Sequence, residues 1–201
     1  MNTPRSARPP LPAAARTPTS PSARPRAWRA GLGAAVLCAL LAGGCGTVTR
    51  IHAPAALAGK ARWVVLPVTN LAEPVQAGER TEAMLDTVLR RHGVTTLDRY
   101  PAIKEDEVHV LLSDRARYDT ALTWARAQHY DYAVTGTVEE WRYKSGNESE
   151  PAVGLTVTVV DVNDGKTLWS GSGASVGSSF QNTSGVALEL LGTLVEGMTL
   201  R

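Results

Sequence analysis

The stretch Leu37-Cys38-Ala39-Leu40-Leu41-Ala42-Gly43-Gly44-Cys45 constrains this chain more than any other. An apolar run follows Arg24, Arg26 and Arg29 and closes on two glycines and a cysteine. A positive leader, a short apolar centre and small residues before a cut site are the marks of a secretory signal. The run is short for a transmembrane helix, which needs about 20 apolar residues. A cysteine directly after the small residues has the form of a bacterial lipobox, with Ala42 where Leu is commonest. Its processing cuts before Cys45 and acylates the sulfur. The alternatives are an ordinary signal peptide that contains a cysteine, or a buried helix.

Removing residues 1–44 changes the sign of the charge. They carry six Arg and no acid, so the 15 Lys+Arg that remain face 19 Asp+Glu, a net of −4 where the full chain has +2. The basic balance of the full chain therefore does not indicate nucleic-acid binding. Cys38 leaves with the signal and Cys45 becomes a thioether, so no thiol remains for a disulfide, a redox centre or a metal. Residues 1–27, rich in Pro, Ala, Arg and Ser, are disordered by composition. The expected organisation is a signal peptide over 1–44, a lipid-proximal tether over 45–60 and one domain over 61–201, a length that supports a single core.

Arg62 to Val68 is a continuous apolar run of strand length, as expected for a buried strand. Glu79 to His92 places Met84, Leu85, Val88 and Leu89 at helical spacing, with acids early, basics late and Gly93 as the stop. Val94 to Leu97 suits a short strand, and Pro101 to Asp114 shows no clear pattern. Between Ala116 and His129, the positions Tyr118, Ala121, Leu122, Ala125 and His129 share a helical face, with Trp124 off it. Tyr132 to Tyr143 alternates as a strand. Val153–Val162 and Lys166–Val176 form a hairpin through Asn163-Asp164-Gly165, whose Asp-Gly pair suits a tight primed turn. Val186, Ala187, Leu190, Leu191, Leu194, Val195 and Met198 stripe a final helix. The order β-α-(β)-α-β-β-β-α predicts an α/β single-domain sandwich of a small mixed β-sheet with packed helices.

The common routes to catalysis are missing from the pattern. His52, His92, His109 and His129 lie far apart, and none pairs with Cys, Asp or Glu at a metal-ligand spacing. Gly171-Ser172-Gly173 lies within a strand and is no nucleophile elbow. Asp161 and Asp164 flank a turn and are explained by turn chemistry. No catalytic residue, metal or cofactor is expected. Trp169 shares its strand face with Thr167 and Gly171, which suits an interface or a membrane-surface anchor better than a core, although it could pack under the final helix. Glu139 and Glu140 are adjacent on one strand and should point to opposite faces, so at most one joins any acidic patch.

Trp63-Val64-Val65-Leu66-Pro67-Val68-Thr69-Asn70, Glu139-Glu140-Trp141-Arg142-Tyr143-Lys144, Glu150-Pro151-Ala152-Val153-Gly154 and Val160-Asp161-Val162 through Trp169-Ser170 resemble the PelC family, outer-membrane lipoproteins of Pel exopolysaccharide export. The first strand taken alone also resembles lipoproteins of the curli-secretion and penicillin-binding-protein-activator type. The resemblance implies a non-catalytic subunit of a homo-oligomeric ring of about a dozen copies on the periplasmic face of the outer membrane, a charge arrangement that steers ions of opposite sign. It implies as partners an outer-membrane export porin with periplasmic repeats (PelB type), a cationic, partly deacetylated amino-sugar polysaccharide, and outer-membrane lipid. Cys45 matches the acylated cysteine, and Trp169 the family's exposed tryptophan that contacts the membrane. Glu139, or its neighbour Glu140, falls where a pore- and polymer-facing acid is expected. Gly46 is not Asp, so the usual inner-membrane retention signal is missing. A second reading is a lipoprotein activator or docking module for a cell-wall synthase.

Overall fold

A computed structural model of the chain describes residues 46–54, 56–101, 114–144 and 149–201. Residues 1–45, with the expected signal and Cys45, and residues 55, 102–113 and 145–148 lie outside the described residues.

The strands are β1 (Thr47–His52), β2 (Arg62–Val65), β3 (Thr69–Asn70), β4 (Thr96–Arg99), β5 (Tyr132–Tyr143), β6 (Pro151–Asp161) and β7 (Thr167–Val176). The helices are α1 (Ala77–His92), α2 (Asp114–Ala127) and α3 (Thr183–Glu196). One mixed sheet runs β1-β7-β6-β5-β2-β4, with β3 pairing β5 off that path. The β2–β4, β2–β5 and β3–β5 pairs are parallel and the others antiparallel.

The unbroken apolar run of β2 is explained by burial on both sides. Trp63 and Val65 join the larger core under α1 and α3, while Val64 and Leu66 join a smaller core with Ala121, Leu122 and Ala125 of α2. α1 stops as expected: Gly93 adopts φ 117° and its N–H reaches the Arg90 and Leu89 carbonyls, which closes the helix end with a left-handed residue. α3 starts on Asn182, whose side chain accepts from the Gly185 N–H at 2.7 Å.

Three expectations need correction. Residues 45–60 are not simply a tether. Thr47–His52 pair antiparallel with Ser170–Ser175 of β7, and buried Leu57 exchanges backbone bonds with Thr199 and Arg201. The β6–β7 hairpin forms, but not through a two-residue primed turn. The Gly165 N–H donates to the Asp161 carbonyl at 2.9 Å, and within the turn only Gly165 has positive φ, 74°. Asp161 and Asp164 serve that turn by accepting from the Asn163 and Lys166 N–H groups. Finally, α2 ends at Ala127, and His129 stands exposed at φ 58° rather than on the buried stripe.

Candidate functional site

Val138 and Trp141 both enter the larger core although they are three residues apart. Strict alternation would send them to opposite faces, so the strand must carry an extra residue between them. The ladder shows it: Val138 pairs with Leu155 and Glu140 with Gly154, with the irregularity between them at Glu139. A bulge of this kind breaks the period of two.

Its consequence corrects the expectation that the two carboxylates diverge. A Cβ placed on Gly154 would lie 3.4 Å from the Cβ of Glu140 and 3.6 Å from that of Glu139. Both side chains therefore leave the same side of the sheet, across from the absent side chain of Gly154. Together with Glu73 they line an open cleft of about 220 Å³, bounded also by Leu71, Ala72, Trp141 and Arg142. Glu140 is held by the Arg142 Nε, which donates to its Oε1 at 2.8 Å. Glu139 is exposed, and acids gathered this way attract cations.

The opposite wall is a loop organised by one side chain. Asn70 donates from Nδ2 to the Pro74 carbonyl at 2.7 Å and the Val75 carbonyl at 3.2 Å, and its Oδ1 accepts from the Ala72 N–H at 3.1 Å. The strand leading into this loop is pinned by Glu82 of α1, whose Oε1 accepts from the Val68 N–H at 3.0 Å. Burial pushes the Glu82 carboxyl above its usual range, opposed by the Val68 hydrogen bond and the more distant charge of Arg99. A carboxyl raised in the folded state holds its proton better folded than unfolded, so folding gains as pH falls through the raised value. Above that value the ionised, desolvated group costs stability. Glu82→Gln keeps the acceptor and should melt at or slightly above the native chain at pH 7.5, with the difference closing towards pH 4. Glu82→Leu leaves the Val68 N–H unpaired and should cost about 1–3 kcal/mol. Thermal denaturation across pH checks both.

Beside the cleft, Thr156 and Thr158 share the face of Gly154 by alternation. The Thr156 hydroxyl donates to the Ser172 Oγ at 3.0 Å, and the Thr158 and Ser170 hydroxyls lie 3.4 Å apart. The acids thus sit at one end of a polar sheet face.

Trp169 is elsewhere. The expectation of an exposed membrane contact is corrected, because the residue is 0 % exposed and belongs to the larger core with α3. Its Nε1 donates to the Gly197 carbonyl at 3.4 Å. Gly171, which made this face look like a poor core, is what admits the indole: a Cβ there would come within 2.6 Å of the ring. Cys45 lies outside the described residues, but Gly46 leads directly into β1. Sequence reasoning missed Glu73 and the shared face of the two acids. The odd spacing of Val138 and Trp141 was the available signal. Among the described residues no group of three His, Cys, Asp or Glu is placed to hold a metal.

The fold and the cleft define a small α/β domain that presents acidic charge at an open surface. It is similar to the PelC dodecamer from Paraburkholderia phytofirmans, with 31% identity and a TM-score of 0.66 over 78% of this chain and 99% of that one. A second structure, of a point variant of that dodecamer, gives 31% identity and a TM-score of 0.67 over 78% and 100%. No family model and no curated protein sequence matches the chain. The chain belongs to the PelC family.

Proposed function

We propose that the chain is cut before Cys45, acylated there, and acts at the periplasmic face of the outer membrane as a non-catalytic subunit of a homo-oligomeric ring. The ring guides a cationic amino-sugar polysaccharide of the Pel type to its outer-membrane export porin. The observation that carries this reading is the bulge at Glu139, which gathers Glu73, Glu139 and Glu140 around one open cleft. Three supports stand beside it. The similar solved proteins are dodecamers. The chain from Cys45 on is net negative. A ring multiplies each acid by the number of copies, so that weak single contacts become avid.

A polymer carrying free amines is attracted to such a surface without being trapped, because exposed carboxylates remain hydrated and screened by salt. That suits a surface along which a chain must move. Deleting the coding sequence in the source bacterium should leave the cationic polymer inside the cell envelope, as read by lectin staining of washed cells against culture supernatant. Undiminished secretion in the deletion strain would overturn the proposal.

A further inference from the structure

Trp124 lies off the buried stripe of α2, and its place in the fold differs from that of the other described tryptophans. Trp63, Trp141 and Trp169 are buried, whereas Trp124 is half-buried and keeps contact with solvent. Its ring lies beside the edge of the sheet. Tyr100, the residue after β4, stands nearly perpendicular to it, with planes at 83° and centroids 5.2 Å apart. Tyr130 packs against it at 5.6 Å and 32°. The Arg62 guanidinium lies 4.7 Å from the centroid of the Tyr130 ring and donates to the Gln128 and His129 carbonyls, which fixes the back of the group.

The strand register explains why these groups meet. β4 ends the sheet, so no strand lies beyond it. Asp98 pairs with Val64, whose side chain joins the smaller core with α2, and Tyr100 two residues on packs against that same core. Two half-buried rings at nearly a right angle, one from the helix and one from the edge strand, form a corner that stays open to water. Exposed Asp98 stands at its rim. Its Oδ2 accepts from the Tyr130 hydroxyl at 2.8 Å, and its Oδ1 has no partner among the described residues. None of these residues lines the acidic cleft.

We propose that Tyr100 and Trp124 form a stacking subsite for the neutral, N-acetylated residues of an amino-sugar polymer, with Asp98 accepting from a hydroxyl or amide N–H of the stacked sugar. The inference rests on the amino-sugar reading above and adds a second point of contact to it. A pyranose ring carries one apolar face of C–H groups and a rim of donors, so it fits a flat aromatic wall beside a fixed acceptor. Acetylated residues bear no charge and gain nothing from the acids of the cleft, so their recognition needs stacking and hydrogen bonding. A protein partner would call for an apolar rim. The exposed large apolar residues among those described, Val48, Ile51, Leu71, Val75, Phe180 and Leu188 with Tyr143, stand on other elements.

The test uses the mature chain purified from its host in detergent, titrated with fully N-acetylated chitotetraose and with its deacetylated counterpart. Trp124 reports through its own emission, because Trp63, Trp141 and Trp169 are buried. The expected result is a saturable emission shift with the acetylated sugar that is nearly the same at low and high salt, since no charge is engaged. Trp124→Leu keeps an apolar contact for Tyr130 but no flat ring, and calorimetry should show binding weakened about tenfold, the scale of one aromatic contact. Asp98→Asn leaves an acceptor for the Tyr130 hydroxyl and should weaken binding severalfold with an unchanged melting temperature. Native-like binding in either variant would overturn the proposal. So would a native chain that binds the deacetylated sugar but not the acetylated one. An emission shift that follows protein concentration without sugar would also overturn it, by placing a second copy on the corner. If neither sugar binds, the amino-sugar reading itself fails and this inference falls with it.

Discussion

Trp169→Ala is expected to cost about 3–5 kcal/mol of folding stability, the range for deleting a buried aromatic side chain. That is a large share of the roughly 5–15 kcal/mol that holds an ordinary domain folded. The reason is local. The indole lies against the backbone of Gly171 in the core that Leu194 of α3 also joins, and its N–H reaches the chain just past the helix end at Gly197. Removing it leaves a cavity under α3 that Gly171 cannot fill and frees the Gly197 carbonyl. Chemical denaturation of the purified protein should show an early midpoint with little change in slope. A midpoint within a few tenths molar of native would mean that the indole is not buried, and would restore the surface reading. With the expected early midpoint, any export defect of this variant is loss of fold, not loss of contact.

The second large effect belongs to the cleft. Glu139→Gln with Glu140→Gln keeps the shape and removes two charges from every copy. Neither residue supports the core: Glu139 is exposed and Glu140 bonds only Arg142 among the described contacts. Stability should therefore change little. Binding of a partly deacetylated chitosan, a cationic amino-sugar stand-in, should fall on the order of a hundredfold at low salt, because avidity compounds the loss across the assembly. The native affinity should drop steeply with added salt and the variant's should not. Native-like binding with an unchanged salt slope in the variant would show that these acids do not face the polymer.

Much of the fold was legible because burial writes itself into sequence. The run Trp63 to Leu66 reads as a two-faced strand, and the Leu85, Val88, Leu89 spacing with Gly93 fixes α1 and its end. β1 was not legible. Thr47–His52 is exposed nearly throughout, so it bears no burial period, and its pairing partner lies more than a hundred residues away on β7. Trp169 was misread for a related reason. Small neighbours on a strand face suggest exposure, but a glycine two residues along is also how a strand admits a large ring. For the site, the two acids were visible but their shared direction was not, since alternation holds only until a bulge interrupts it.

The most direct test of the central claim is sedimentation of the acylated chain in detergent with a fluorescent chitosan. The account predicts that polymer co-sediments with a species of about twelve subunits and is released by high salt, as expected when many exposed carboxylates are engaged together. A monomer that sediments apart from the polymer at every salt concentration would contradict it.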